Sequence, residues 1–182
     1  MSEPASPLRA ASTGPRQPLP EFIAMLALIF ASIAFSIDSM LPALPQIARE
    51  LTPDDVNRAQ LVLTAFVAGL GGGLFIAGPL SDAFGRKRII VIGFAIYAVG
   101  AVAAVFAPSL EMLLAARVLQ GIGAAGPRIV SLALVRDLYQ GREMARITSF
   151  VMMIFILVPA VAPSLGAGII HFAGWRGVFG AF

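Results

Sequence analysis

Five apolar runs, 22–41, 59–80, 89–106, 110–135 and 147–170, dominate this chain and leave it few ways to fold. At about 1.5 Å per residue, some 20 helical residues cover the roughly 30 Å hydrocarbon core of a bilayer. Inside lipid every backbone N–H and C=O must find its partner within the segment, so runs of this length are expected to be helices. The rest of the composition agrees, with 58% hydrophobic and only 13% charged residues where a soluble domain has roughly a quarter. The chain therefore reads as an all-α integral membrane protein. It has no cysteine and one histidine, which excludes disulfides, iron–sulfur clusters and cysteine-based zinc sites. The net charge of +3 does not point to nucleic acid, because the cations fall between the apolar runs rather than on a soluble face.

Residues 1–20 contain five prolines among small and polar residues and are expected to form a disordered arm. A cleaved signal peptide is not expected at 22–41, since such a segment has an apolar stretch of only about 7 to 15 residues. Pro42 and Pro45 should close the first span, and 46–58 reads as a polar connection in which Thr52 or Asp54 could cap a short helix. The second span holds Gly69, Gly71, Gly72 and Gly73, and the third holds Gly93 and Gly100, seven apart on one face. Small residues in lipid allow helices to approach closely. The fourth span is the most polar, and the fifth is interrupted by Pro159 and Pro163. A short turn at 171–177 carries Trp175, a residue suited to the membrane interface. A further apolar run then reaches Phe182, so the chain ends inside a sixth span.

Between the second and third spans lies GPLSDAFGRKRII, with Gly78, Pro79 and Gly85 as turn formers around Asp82 and the cations Arg86, Lys87 and Arg88. A helix is expected to end at Gly78-Pro79 and another to begin after the cations. With residue 1 on the cytoplasmic side, eight of the thirteen Lys and Arg residues fall on that side and three on the other. The remaining two, Arg117 and Arg128, lie within the fourth span. The positive-inside rule then predicts a cytoplasmic N-terminus.

Charge within a span marks a functional site by default. Arg117 sits about seven residues into the fourth span and needs a partner or a water-filled cavity. Arg128, eleven residues on, comes about 20° past three full turns, so the two share one face that should look inward. Asp38 is the one carboxylate of the first span, and an acid that shared a cavity with Arg117 could take up and release a proton. Pro159, Pro163 and Gly166 fall at spacings of four and three and line one side of the fifth span, which suggests a gating or sealing role. No phosphate-binding glycine loop follows a strand, and no nucleophile has a neighbouring base, so nothing supports an enzyme.

These residues carry a resemblance. Gly78-Pro79-Leu80-Ser81-Asp82 with Phe84-Gly85-Arg86-Lys87-Arg88 is similar to the loop motif G-x-L-a-D-r-x-G-r-k of the major facilitator superfamily. Arg117-Val118-Leu119-Gln120-Gly121-Ile122-Gly123 is similar to its fourth-helix motif R-x-x-Q-G-x-G. The stretch 159–168 resembles the fifth-helix antiporter motif, with Ala162-Pro163 in place of its Gly-Pro pair. Asp38 with Leu41-Pro42-Ala43-Leu44-Pro45 is similar to the D-x-x-L-P-A-L-P signature of the Bcr/CflA group of drug:proton antiporters. Over 21–182 the chain thus resembles the N-terminal half of such a transporter, which implies a six-helix bundle cut short in its sixth helix and a C-terminal half as partner. The resemblance further implies a bacterial inner-membrane location, protons and a small apolar drug or metabolite as the transported species, and a proton gradient in place of any cofactor. It assigns proton translocation to Arg117 beside Gln120, and to Asp82 with its adjacent cations a charge network that steadies one access state, Asp82 being placed to cap a helix N-terminus. A proton-coupled importer and a non-transporting truncated membrane module are the alternatives.

Overall fold

The computed structural model describes residues 19–182, and the arm expected at 1–20 lies almost wholly outside them. Six α-helices follow in order: α1 (Leu19–Asp38), α2 (Leu44–Leu51), α3 (Leu61–Phe84), α4 (Arg86–Val105), α5 (Leu110–Leu138) and α6 (Gly141–Gly180). Among the described residues there is no strand, and α1, α3, α4, α5 and α6 are long and apolar enough to cross a membrane. The five spans are those expected, but their ends are not.

Pro42 and Pro45 begin elements instead of closing one. Pro42 lies in the first turn of a 3-10 helix, Leu41–Ala43, and Pro45 in the first turn of α2, where the missing N–H would have had no helical partner. The polar connection therefore contains a real helix, which buries Ile47 and Ala48. The cap after it is Asp55, whose carboxylate accepts from Asn57 N at 3.1 Å at the head of a second 3-10 helix, Val56–Gln60.

The expected break at Gly78-Pro79 is absent, because α3 continues through both residues to Phe84. A proline inside a membrane helix removes one donor, here the N–H that would serve the Phe75 carbonyl, and the helix tolerates that single loss. The break falls at Gly85 alone, whose φ of 89° and ψ of 143° favour a residue without Cβ. The helix α4 starts at once, so Arg86, Lys87 and Arg88 form its first turn and not a loop. Likewise α6 runs through Pro159 and Pro163, and the turn expected at 171–177 reduces to Gly174 at φ 67° and ψ −176°.

The helix α5 packs between α3 and α4, while α6 leans mainly on α1. Gly93 and Gly100 both meet α5: a methyl at Gly93 would lie 2.5 Å from Pro127, and one at Gly100 would lie 2.8 Å from the Gln120 backbone. Gly69 and Gly73 also face α5, whereas Gly71 and Gly72 have open space beside them. Three buried clusters follow one another along the bundle. One centres on Leu26, Val135 and Val151, a second on Phe66, Leu70 and Ala125, and a third on Met40, Leu113 and Phe179.

Candidate functional site

Glycines on α3, α4 and α5 bring three helix backbones close enough to enclose Arg117 completely, at 0% exposure. A guanidinium carries five donors in a fixed fork, and burying it requires acceptors. Three helices supply them. Nη1 donates to Gln120 Oε1 at 2.8 Å on α5 itself, Nη2 to Ser36 O at 3.1 Å on α1, and Nε to Val62 O at 3.3 Å on α3. The Phe66 ring lies under the guanidinium at 4.5 Å and the Phe179 ring at 5.6 Å, each with its electron-rich face available to the cation. Arg117 is thus held by backbone carbonyls, one amide oxygen and two rings, and no carboxylate pairs with it among the described residues.

Asp38 is the last residue of α1 and is half-buried. It makes no ion pair with Arg117; the nearest tie between α1 and Arg117 is Ser36 O, two residues earlier. Gln120 is fully buried, and its Nε2 has no partner among the described residues. Arg128 is half-buried and, unlike Arg117, has no hydrogen bond or ion pair among the described residues. The geometry joins Arg117 with Gln120, sets Asp38 two residues along the chain from the Ser36 carbonyl that Arg117 holds, and leaves Arg128 apart.

Asp82 does not cap α4. It occupies the last turn of α3, exposed, and Gly85 at the head of α4 has no side-chain cap. The reason is the continuation of α3 past Pro79, which carries Asp82 to a helix C-terminus, the end the helix dipole makes unfavourable for an anion. The ion pair at this end joins Arg86 to Asp137, in the last turns of α5, while Lys87 and Arg88 are exposed. Gly78 is half-buried, and a methyl there would sit 3.6 Å from Ile129.

The fifth-span motif divides by environment. Pro159 is exposed, Pro163 half-buried and Gly166 buried, where an added Cβ would stand 2.3 Å from Ser39 O. That contact seats α6 on the residue after Asp38. At the far end, Trp175 is buried against the neighbouring helices, at 1% exposure. Its Nε1 donates to Glu50 Oε2 at 2.8 Å and its backbone N to Gln46 Oε1 at 3.1 Å, and Arg176 Nη1 reaches the same Glu50 oxygen at 2.9 Å. Sequence reasoning missed Ser36, Tyr97, Glu50 and Asp137. Only Asp137 gave a signal, as an acid at the end of a span facing a cationic turn.

A bundle of membrane-length helices, with an arginine sealed among three of them, defines a multi-pass membrane protein. The family model described as Major Facilitator Superfamily matches residues 25–182, and the chain belongs to that superfamily, a family of transporters and not of enzymes. It is similar to the uncharacterized MFS-type transporter YdgK of Bacillus subtilis, with 38% identity over 79% of this chain and 36% of that protein. A bicyclomycin resistance protein homolog of Haemophilus influenzae is 34% identical over 87% of this chain and 39% of its own length. A chloramphenicol resistance protein of Pseudomonas aeruginosa is 34% identical over 80% and 35% respectively. The resemblance to the Bcr/CflA type agrees with these relatives, of whose length the chain spans between 35% and 39%.

Proposed function

We propose that this chain forms part of a bacterial inner-membrane transporter that exports small, mostly apolar drugs or metabolites in exchange for protons. The observation that carries the reading is Arg117, a permanent cation buried within a span and tied to α1 through Ser36 O without a carboxylate partner. Such a cation has two possible acceptors on α1. It stays on the Ser36 carbonyl while Asp38 is protonated, and it turns to Asp38 when that acid ionises, so proton uptake and helix position become linked. Movement of α1 against Gly166 on α6 passes this exchange to the fifth-span seal, with Pro159 and Pro163 as the points where that span bends. Arg128 faces the transport path, and the Asp82 turn with Gly85, Arg86, Lys87 and Arg88 steadies one access state. The names of the relatives support drugs as the exported class, and the distribution of Lys and Arg supports a cytoplasmic N-terminus.

The test uses the natural full-length protein in everted membrane vesicles, with chloramphenicol as probe and a pH-sensitive dye in the lumen. Adding chloramphenicol should draw protons out of an acid-loaded lumen, and Asp38→Asn should abolish that flux while the protein still inserts. Undiminished pH-dependent chloramphenicol transport in Asp38→Asn would refute the role of Asp38.

A further inference from the structure

Beside Arg117 lies a second buried polar contact that the reading above does not use. Tyr97 on α4 is 6% exposed and Ser36 on α1 is 0% exposed, and their hydroxyl oxygens are 2.7 Å apart. The carbonyl of the same Ser36 accepts from Arg117 Nη2. One residue of α1 is therefore gripped from two sides, by a phenol from α4 and by a guanidinium from α5. The α4 side of this grip is rigid. Gly123 of α5 comes so close to Tyr97 that an added Cβ would lie 2.4 Å from the Tyr97 backbone N, and one at Gly100 would lie 2.8 Å from the Gln120 backbone N. The phenol thus has a fixed origin from which to hold α1.

We propose that Tyr97 is a positioning residue for Arg117, acting through Ser36, and that the Ser36–Tyr97 hydrogen bond sets how readily Arg117 leaves α1. The inference rests on the proton-exchange reading above. Where Tyr97 holds Ser36 in place, the Ser36 carbonyl competes well for the guanidinium. Where it does not, the carbonyl drifts and Arg117 is free to pair with Asp38, two residues on. The groups that face Arg117 are few: Tyr97 from α4, the Phe66 ring from α3, and the Phe179 ring from the segment after Gly174, while Asp38 stands two residues from Ser36 at the end of α1 and makes no contact with the guanidinium in this arrangement. Within α5 the other cation, Arg128, lies eleven residues away. A freed guanidinium stabilises the ionised form of Asp38, so a more acidic lumen is needed to protonate it.

The experiment measures the pH midpoint of chloramphenicol transport in liposomes holding the natural full-length protein, for wild type, Tyr97→Phe, Ser36→Ala and the double variant. Tyr97→Phe keeps the ring and its packing, and Ser36→Ala removes the same bond from the other helix. Each single variant should move the midpoint about one pH unit to the acid side, the tenfold change expected of one buried hydrogen bond. The double variant should move it no further, since both changes delete one interaction. An unmoved midpoint, or single shifts that simply add, overturns the inference even while wild type remains proton-coupled. Wild-type transport that ignores the proton gradient overturns the function proposed above, and the inference with it.

Discussion

The helices α5 and α6 are the two longest among the described residues, both carry proline within the span, and they are embedded to opposite degrees. Over their most apolar stretches, 56% of α5 is buried against 17% of α6, although α6 is the more apolar of the two. Apolarity cannot explain the order, because lipid tails satisfy an apolar side chain as well as another helix does. What differs is side-chain size at the contacts. On α5, Gly121 lies against the backbone of α3 and Gly123 against that of α4, while α6 has Gly166 against α1 and leaves Gly168 open. Small residues admit α5 to the centre, and that central place lets one arginine reach carbonyls on both α1 and α3.

The sharpest way to break this contrast is Gly121→Val. A Cβ there would stand 2.2 Å from Phe66 O and 2.7 Å from Leu70 N, both backbone atoms that cannot swing aside. The helices α3 and α5 would have to part along the seam that also holds Arg117. We expect a loss of about 3 kcal/mol or more and little folded protein after detergent extraction, which size-exclusion chromatography and thermal unfolding would read. A variant as stable as wild type would mean that the seam yields and that glycine is not what places α5.

Next in size comes Gly166→Ala on α6, where the new methyl would meet Ser39 O at 2.3 Å. Among the described residues this is the one tight glycine contact between α6 and the end of α1. A cost of about 1 to 3 kcal/mol is expected, smaller than at Gly121 because α6 has few other helices to disturb. Transport should fall along with stability, since the contact abuts Asp38. Equal losses at Gly121 and Gly166 would erase the distinction between the two helices.

Beyond Gly174, a polar clasp takes over from packing. Replacing Glu50 by Ala leaves the buried Trp175 Nε1 without its acceptor and removes the ion pair of Arg176, which keeps its bond to Ala107 O and its place over the Trp175 ring at 4.1 Å. We expect about 1 kcal/mol of destabilisation, the usual net worth of such a bond, visible as earlier melting and a shift in tryptophan fluorescence. Because Trp175 is the chain's one tryptophan, the fluorescence reports on this clasp alone. An unchanged spectrum would show that packing against Met40, Ile47 and Phe179 holds the indole without help.

The five spans, the buried arginine and the glycine faces were legible in the sequence because each follows from local pattern: apolar length, a charge where none is cheap, and a spacing of seven. The helix ends were not. Pro79, Pro159 and Pro163 look like breaks to a reader who counts lost hydrogen bonds, yet helices in lipid continue through them, because stopping would expose several backbone groups where proline exposes one. Asp82 was misplaced by the same error. The partners of Trp175 and Tyr97 were illegible for another reason. Glu50 is 125 residues from Trp175 and Ser36 is 61 from Tyr97, and no periodicity pairs side chains across that distance. That Arg117 would need enclosure was readable; the groups that enclose it had to come from the folded arrangement.

The smallest expected effect lies two residues from one of the larger ones. Gly168 sits on α6 with nothing within 4 Å of where a Cβ would be, in a helical backbone that alanine adopts readily. Removing glycine's extra freedom in the unfolded chain should therefore stabilise this chain by about 0.5 to 1 kcal/mol. The natural full-length protein supplies the sharper form of the test. If Gly168→Ala raises the melting temperature there too, this face of α6 meets only lipid or water. If it lowers the melting temperature or slows transport, another helix comes as close to Gly168 as α1 comes to Gly166. The apparent bareness of α6 would then be a second glycine-walled seam, and α5 and α6 would differ in when they are covered and not in whether they are.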